Sequence, residues 1–206
     1  MNNEERADRI AQEMVANLNY NVLKEAAEQE KHNLLSLLFK ALAFSAEKHT
    51  KQRRKDIDKT PYINHPISLA NILAKRWVID ENVLCVAILH DTIEDTETTV
   101  EELQEHFGEK ITSIVLEVTD DKSLEKLVRK QKQVEHAASI SHEAKLVKLA
   151  DKIANITDII NTPPADWSND RKKDYFDWAK AVVDNLRGSH QGLEKDFADL
   201  IKRRTN

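Results

Sequence analysis

Glycine and proline are scarce: three and four residues among 206, where average usage would supply roughly twenty-five between them. A turn-rich β-sandwich or barrel is therefore not expected. Cys85 is the only cysteine, so no intrachain disulfide framework exists, and it reads as a reduced core residue. A redox-sensing thiol needs basic neighbours to lower its pKa, and nothing basic flanks this one. The longest apolar run, Val83 to Leu89, has seven residues against the ~20 of a membrane-spanning helix. The start, Met1-Asn-Asn-Glu-Glu-Arg, lacks the basic opening and apolar stretch of a secretory signal, so a cytoplasmic protein is expected. A formal net charge of −5 argues against nonspecific binding to nucleic acid or anionic membranes. It does not exclude a small anionic ligand in a local basic pocket.

What the chain does have is helical periodicity. Apolar residues recur at three- and four-residue intervals at Leu34, Leu38, Leu42 and Ala46, at Leu103 and Phe107, at Ile111, Val115 and Val118, and at Leu146, Leu149, Ile153 and Ile156. No segment shows sustained two-residue alternation, so the expected fold is all-α and compact, with eight to ten helices. Thr98-x-x-Glu101 reads as a capping box opening a helix that Gly108 stops near Phe107. Pro66 can open another helix, and Pro163-Pro164 must interrupt one. The main loops are then 52–65 and 161–168. Residues 1–31 carry Ile10, Met14 and Leu18 among many charges: an added helix that packs on the domain or on a second copy of it, or else a frayed tail. The main domain is expected over 32–195, with a helix end and tail over 196–206.

Charge is unevenly spread. Between Lys48 and Lys59 stand Lys48, Lys51, Arg53, Arg54, Lys55 and Lys59 against Asp56 and Asp58, whereas Asp91 to Glu109 holds eight acids and no Lys or Arg. The acidic stretch begins His90-Asp91-Thr-Ile-Glu94-Asp95, directly after the apolar run. If the helix continues, Glu94 and Asp95 project to the side of Asp91, and three adjacent carboxylates resist ionising unless a cation sits among them. Further ligands are on offer: His65 in Pro61-Tyr-Ile-Asn-His65-Pro66 and Asp151 in Lys148-Leu-Ala-Asp151-Lys. Two imidazoles and two carboxylates suit manganese, iron or zinc better than magnesium or calcium. The bland alternative is that His65 caps a helix and Asp151 pairs with Lys148 or Lys152.

Four ordered segments, Gln52-Arg-Arg-Lys-Asp56, Pro61 to Pro66, Leu89-His-Asp-Thr-Ile-Glu-Asp-Thr96 and Lys148-Leu-Ala-Asp151, resemble the hydrolase domain of the RelA/SpoT family. The chain looks most like its small stand-alone alarmone hydrolases, members of the HD-domain phosphohydrolase superfamily. The resemblance extends from about Leu34 to Leu193. It implies an all-helical HD-domain fold and hydrolysis of the 3′-pyrophosphate of ppGpp or pppGpp to GDP or GTP, with one Mn²⁺ per chain. Carried over by motif, His65, His90, Asp91 and Asp151 match the metal ligands. Glu94 and Asp95 match the pair that positions and activates water, while Arg54, Lys55 and Asn155 match substrate contacts. With no synthetase domain in view, the chain is expected only to degrade.

Two positions depart from the family pattern: Thr157 stands where Arg is usual, and Lys59 where Gly commonly precedes Thr-Pro-Tyr. His32, His106, His136, His142 and His190 read as surface residues, and Trp77, Trp167 and Trp178 as packing residues. Two other functions stay open, a phosphatase acting on another purine nucleotide such as NADPH and a noncatalytic nucleotide sensor. A guanine nucleotide is the expected partner, with no nucleic acid or membrane, and a homo-oligomer is left open.

Overall fold

The computed structural model describes residues 3–203, with side chains from residue 17 onward. It contains nine helices among the described residues: α1 (Asn3–Lys48), α2 (Asn64–Lys75), α3 (Glu81–Leu89), α4 (Thr92–Asp95), α5 (Val100–Val118), α6 (Lys126–His136), α7 (His142–Asn161), α8 (Asn169–Asp184) and α9 (Gln191–Lys202). The all-α expectation holds. The only β feature among them is an isolated antiparallel bridge between Arg53 and Pro61. No described helix is long and apolar enough to cross a membrane.

The chain divides into two compact units, Met1–Phe39 and Lys40–Asn206. The first is the leading part of α1, which continues without a break past His32. Residues 1–60 hold no glycine or proline to stop a helix. Ile10 and Met14 lie outside the residues whose side chains are described, and Leu18, Tyr20, Leu23 and Phe39 are exposed.

In the second unit, α7 is the central element and packs on α2, α3, α5, α8 and α9. Its buried residues fall on all sides, from Ala144 and Leu146 through Ile153 to Ile159, as a helix surrounded by partners requires. Helix α3 is apolar all round for the same reason, and every residue from Val83 to Leu89 is buried. Cys85 lies there at 0 % exposure, and burial pushes its thiol up to about 12.

Polar caps set the helix starts. Asp80 accepts from the Val83 N–H, Ser141 from Ala144 and Ser168 from Arg171, each replacing a hydrogen bond the first turn lacks. The cap of α5 is Thr99, accepting from Glu102 at 3.1 Å, one residue beyond the expected Thr98. Thr98 is instead buried and paired with the Thr96 hydroxyl at 2.8 Å. Gly108 does end a helix, at φ 79°, but a second begins at once and the two run on as α5.

One further expectation needs correction. Trp77 is no packing residue: it is 86 % exposed, with a left-handed backbone at φ 62°. The buried face at the end of α1 is Ala41, Phe44 and Ser45, with Leu34, Leu38, Leu42 and Ala46 only half-buried.

The loop between α1 and α2 is held as a narrow flap. Arg54 N–H donates to Thr60 O at 2.9 Å and Tyr62 N–H to Gln52 O at 3.2 Å. Lys59 takes the left-handed backbone (φ 49°) that glycine would adopt more freely.

Candidate metal and nucleotide site

Four helix ends or faces bring the candidate ligands together. His65 stands in the first turn of α2, ahead of Pro66, and is buried. His90 is the C-cap of α3 and Asp91 the N-cap of α4, so the expected continuous helix is broken between them. The α4 turn restarts at once, with Asp95 N–H donating to Asp91 O at 2.8 Å. Asp151 comes from the middle of α7.

Of the four expected ligands, His65, His90 and Asp151 bring ligand atoms within 4.8 Å of one another, whereas Asp91 falls outside that group and meets it through His90. His65 Nε2 is 3.2 Å from Asp151 Oδ1, and His90 Nε2 is 3.0 Å from Asp91 Oδ2. Asp91 Oδ2 also accepts from the Tyr62 hydroxyl.

This donor set fits a divalent cation. The Nδ1 of His90 donates to Ala87 O at 2.9 Å, which fixes the ring and turns its other nitrogen, Nε2, toward the cluster. That Nε2 is buried, and no hydrogen-bond partner reaches it in proper alignment, Asp91 included. The electrostatics agree. Burial disfavours charge on His90, yet Asp91 and then Asp151 more than offset it and push the imidazole up to about 9. Burial likewise works against ionised Asp91 and Asp151, but His90 beside the first and Lys152 beside the second hold both carboxyls below the usual range. Positive charge is thus what the cluster demands. Asp151 also has the bland partner anticipated for it, Lys152 Nζ at 2.9 Å.

Glu94 and Asp95 line the same hollow as the ligands, a cavity of ≈ 200 Å³. The Asp120 N–H donates to Glu94 Oε2 at 3.0 Å. Burial nevertheless raises the Glu94 carboxyl to about 7, with Asp91 adding to the effect. Asp95 is held from two sides, by Gln52 Nε2 at 2.7 Å and by Lys122 Nζ. Gln52 is in turn fixed by His49 Nδ1 at 2.5 Å.

A second hollow of ≈ 280 Å³ shares Arg54, Tyr62, Asp95, Asn155 and Tyr175 with the first, so the two form one cleft. Arg54 donates to Asp158 Oδ2 at 2.5 Å and Asn155 Oδ1 at 3.2 Å, with its guanidinium 5.7 Å from the Tyr62 ring centre. Asn155 reaches the other way to Asp151 Oδ1 at 2.6 Å. Lys55 is exposed on the rim. All nine residues singled out in the sequence therefore border this cleft.

Thr157 does not border it, because its hydroxyl donates to Ile153 O at 2.7 Å on its own helix. Sequence reasoning passed over Gln52, Lys122, Asp120 and Tyr175. The signals for Gln52 and Tyr175 were their places in stretches that resemble the family, while Lys122 and Asp120 become visible only in three dimensions.

Residues 41–176 match the HD domain family. The chain is 52% identical over 160 residues to the guanosine-3′,5′-bis(diphosphate) 3′-pyrophosphohydrolase MESH1 of Xenopus tropicalis, covering 77% of this chain and 89% of that protein. The human MESH1 is 50% identical over 168 residues, covering 81% and 94%. A solved structure described as a metazoan orthologue of SpoT that hydrolyses ppGpp superposes with a TM-score of 0.80 at 46% identity, covering 82% of this chain and 96% of that one. Likeness of this extent, with the His-Asp pair set between helices as described, means that the chain belongs to the HD-domain family and is a homologue of the MESH1 proteins.

Proposed function

We propose that this protein hydrolyses the 3′-pyrophosphate of ppGpp and pppGpp, releasing pyrophosphate and leaving GDP or GTP, and that it uses one Mn²⁺ per chain. The observation that carries the reading is the joining of the His65/His90/Asp91/Asp151 cluster, Glu94 and the Arg54 wall in one cleft, in a chain half identical to named pyrophosphohydrolases. His65, His90, Asp91 and Asp151 would hold the cation. When bound, it lowers the pKa of water and polarises a phosphoryl oxygen.

The protein's own groups do the rest. Glu94, ionisable near neutrality, takes the proton of the attacking water, and Asp95, fixed by Gln52 and Lys122, orients that water. Arg54 offers a flat cationic face to the purine, and Lys55 on the rim meets phosphate charge. Asn155, bonded to both Asp151 and Arg54, ties the metal end of the cleft to the nucleotide end.

We assign the hydrolase to residues 32–195, with 1–31 an appended helical segment and 196–206 the closing helix end and tail. Its acidic charge and buried, unpaired Cys85 support work in the cytosol on a small nucleotide.

Chelator-stripped protein incubated with ppGpp or NADPH, with and without Mn²⁺, tests the reading. GDP forming from ppGpp only with Mn²⁺, and faster than phosphate is released from NADPH, is the expected result. Intact ppGpp with metal demonstrably bound would overturn it.

A further inference from the structure

The cluster and Glu94 stand on different helices, yet a chain of hydrogen bonds along the wall of the hollow joins them through Lys152, Gln133 and Asp120. Lys152 Nζ donates to Asp151 Oδ2 at 2.9 Å and to Gln133 Oε1 at 3.1 Å. Gln133 Nε2 donates to Asp120 Oδ2 at 2.6 Å, and the Asp120 N–H donates to Glu94 Oε2 at 3.0 Å. Lys148 secures the turn before Asp120 by donating to Val118 O at 3.1 Å. Lys152 is buried, with its ammonium 4.4 Å from the centre of the Trp178 ring. Polar groups at such depth need every partner they have.

Gln133 occupies the one link where donor and acceptor must meet back to back. An ammonium only donates and a carboxylate only accepts, so the group between them must accept on one side and donate on the other. A carboxamide does both and has a single workable orientation. Helix α6, which carries Gln133, has no buried residue. Core packing therefore does not explain why a glutamine should stand there.

We propose that Gln133 is a positioning residue that sets Asp151 and Glu94 in register with each other, through Lys152 on one side and Asp120 on the other. The inference rests on the hydrolase reading for the role of Glu94, but its Asp151 arm can be tested by metal binding alone.

The test uses the full chain with the substitutions Gln133→Leu, Gln133→Glu, Asp120→Asn and the double Gln133→Glu/Asp120→Asn. Three quantities are read: Mn²⁺ affinity of the stripped protein, kcat and KM on ppGpp, and the unfolding midpoint as a check on folding. Gln133→Leu leaves Lys152 with Asp151 as its remaining acceptor, so the ammonium competes with the cation and Mn²⁺ affinity falls about tenfold. Gln133→Glu keeps the acceptor for Lys152 but sets carboxylate against carboxylate at Asp120. Mn²⁺ affinity is then no weaker than wild type, while kcat falls about tenfold or more at unchanged KM.

Asp120→Asn alone keeps an acceptor for Gln133. In the double variant it supplies the missing donor, and kcat returns to within about threefold of wild type. A merely structural glutamine would not be rescued by reversing the polarity of its neighbour. A double variant as slow as Gln133→Glu, or Gln133→Leu binding Mn²⁺ as tightly as wild type, overturns the proposal. If the wild-type protein leaves ppGpp intact, the hydrolase reading fails, and the Mn²⁺ affinity of Gln133→Leu still decides whether Gln133 positions Asp151.

Discussion

Replacing Glu94 by Gln removes a proton acceptor and little else. The amide has the shape of the carboxyl, and its oxygen can still accept from the Asp120 N–H that now meets Oε2 at 3.0 Å. Packing, the α4 turn and the metal ligands are left in place. What disappears is a base whose carboxyl burial has raised to about 7. General base catalysis is typically worth about 10²- to 10⁴-fold, so kcat on ppGpp should fall by two to four decades, about 3 to 5 kcal/mol of barrier. KM and Mn²⁺ content should stay as in wild type.

The pH profile adds a second signature. Glu94 acts in its ionised form, and a nearby cation draws its pKa downward. Wild-type kcat therefore climbs with pH and levels off at or below about pH 7, and the variant loses that acid limb. The assay is steady-state hydrolysis of ppGpp by Mn²⁺-loaded protein from about pH 5 to 9, with metal content measured on the same samples. A Glu94→Gln protein that keeps its kcat, or keeps the acid limb, would remove Glu94 from the mechanism.

Other positions give independent checks. Asp91→Ala should cost both Mn²⁺ and activity, and metal analysis that still finds one ion per chain would show the ligand set to be wrong. Lys55→Ala should raise KM about tenfold with kcat held, as loss of one charged phosphate contact does; a fall in kcat at constant KM would contradict its place on the rim. Trp77→Gly relieves a left-handed backbone while giving up a side chain that is 86 % exposed. It should stabilise the fold by ~1 kcal/mol, a rise in Tm of about 2 to 4 °C, and a lower Tm would mean that Trp77 makes contacts its exposure does not suggest.

Much of the site could be read along the chain because its chemistry demands rare residue types in short, ordered groups. His90 and Asp91 follow an apolar run that must be buried, and a charged pair at the end of such a helix needs partners. His65 beside Pro66 and Asp151 on an otherwise apolar helix could be singled out for similar reasons. The fold class followed from periodicity and from the shortage of turn residues.

What could not be read depends on pairings across the fold. Gln133 lies on a helix without a buried residue, where nothing in the local pattern separates it from Gln131 or Lys132. Its distinction is that Asp120 and Lys152 converge on it from either side. The choice between Thr98 and Thr99 as the cap of α5 is also tertiary, since both carry the needed hydroxyl and only burial of Thr98 against Thr96 decides it. Trp77 looks like core by composition, yet the turn after α2 points it outward.

The most direct test of the central claim is product analysis of ppGpp hydrolysis by the Mn²⁺-loaded wild-type protein in ¹⁸O-labelled water. Attack of water on phosphorus within the cleft predicts GDP and pyrophosphate in equal amounts, with the label in pyrophosphate. Release of single phosphates, label in the ribose hydroxyl, or no GDP at all would contradict the account.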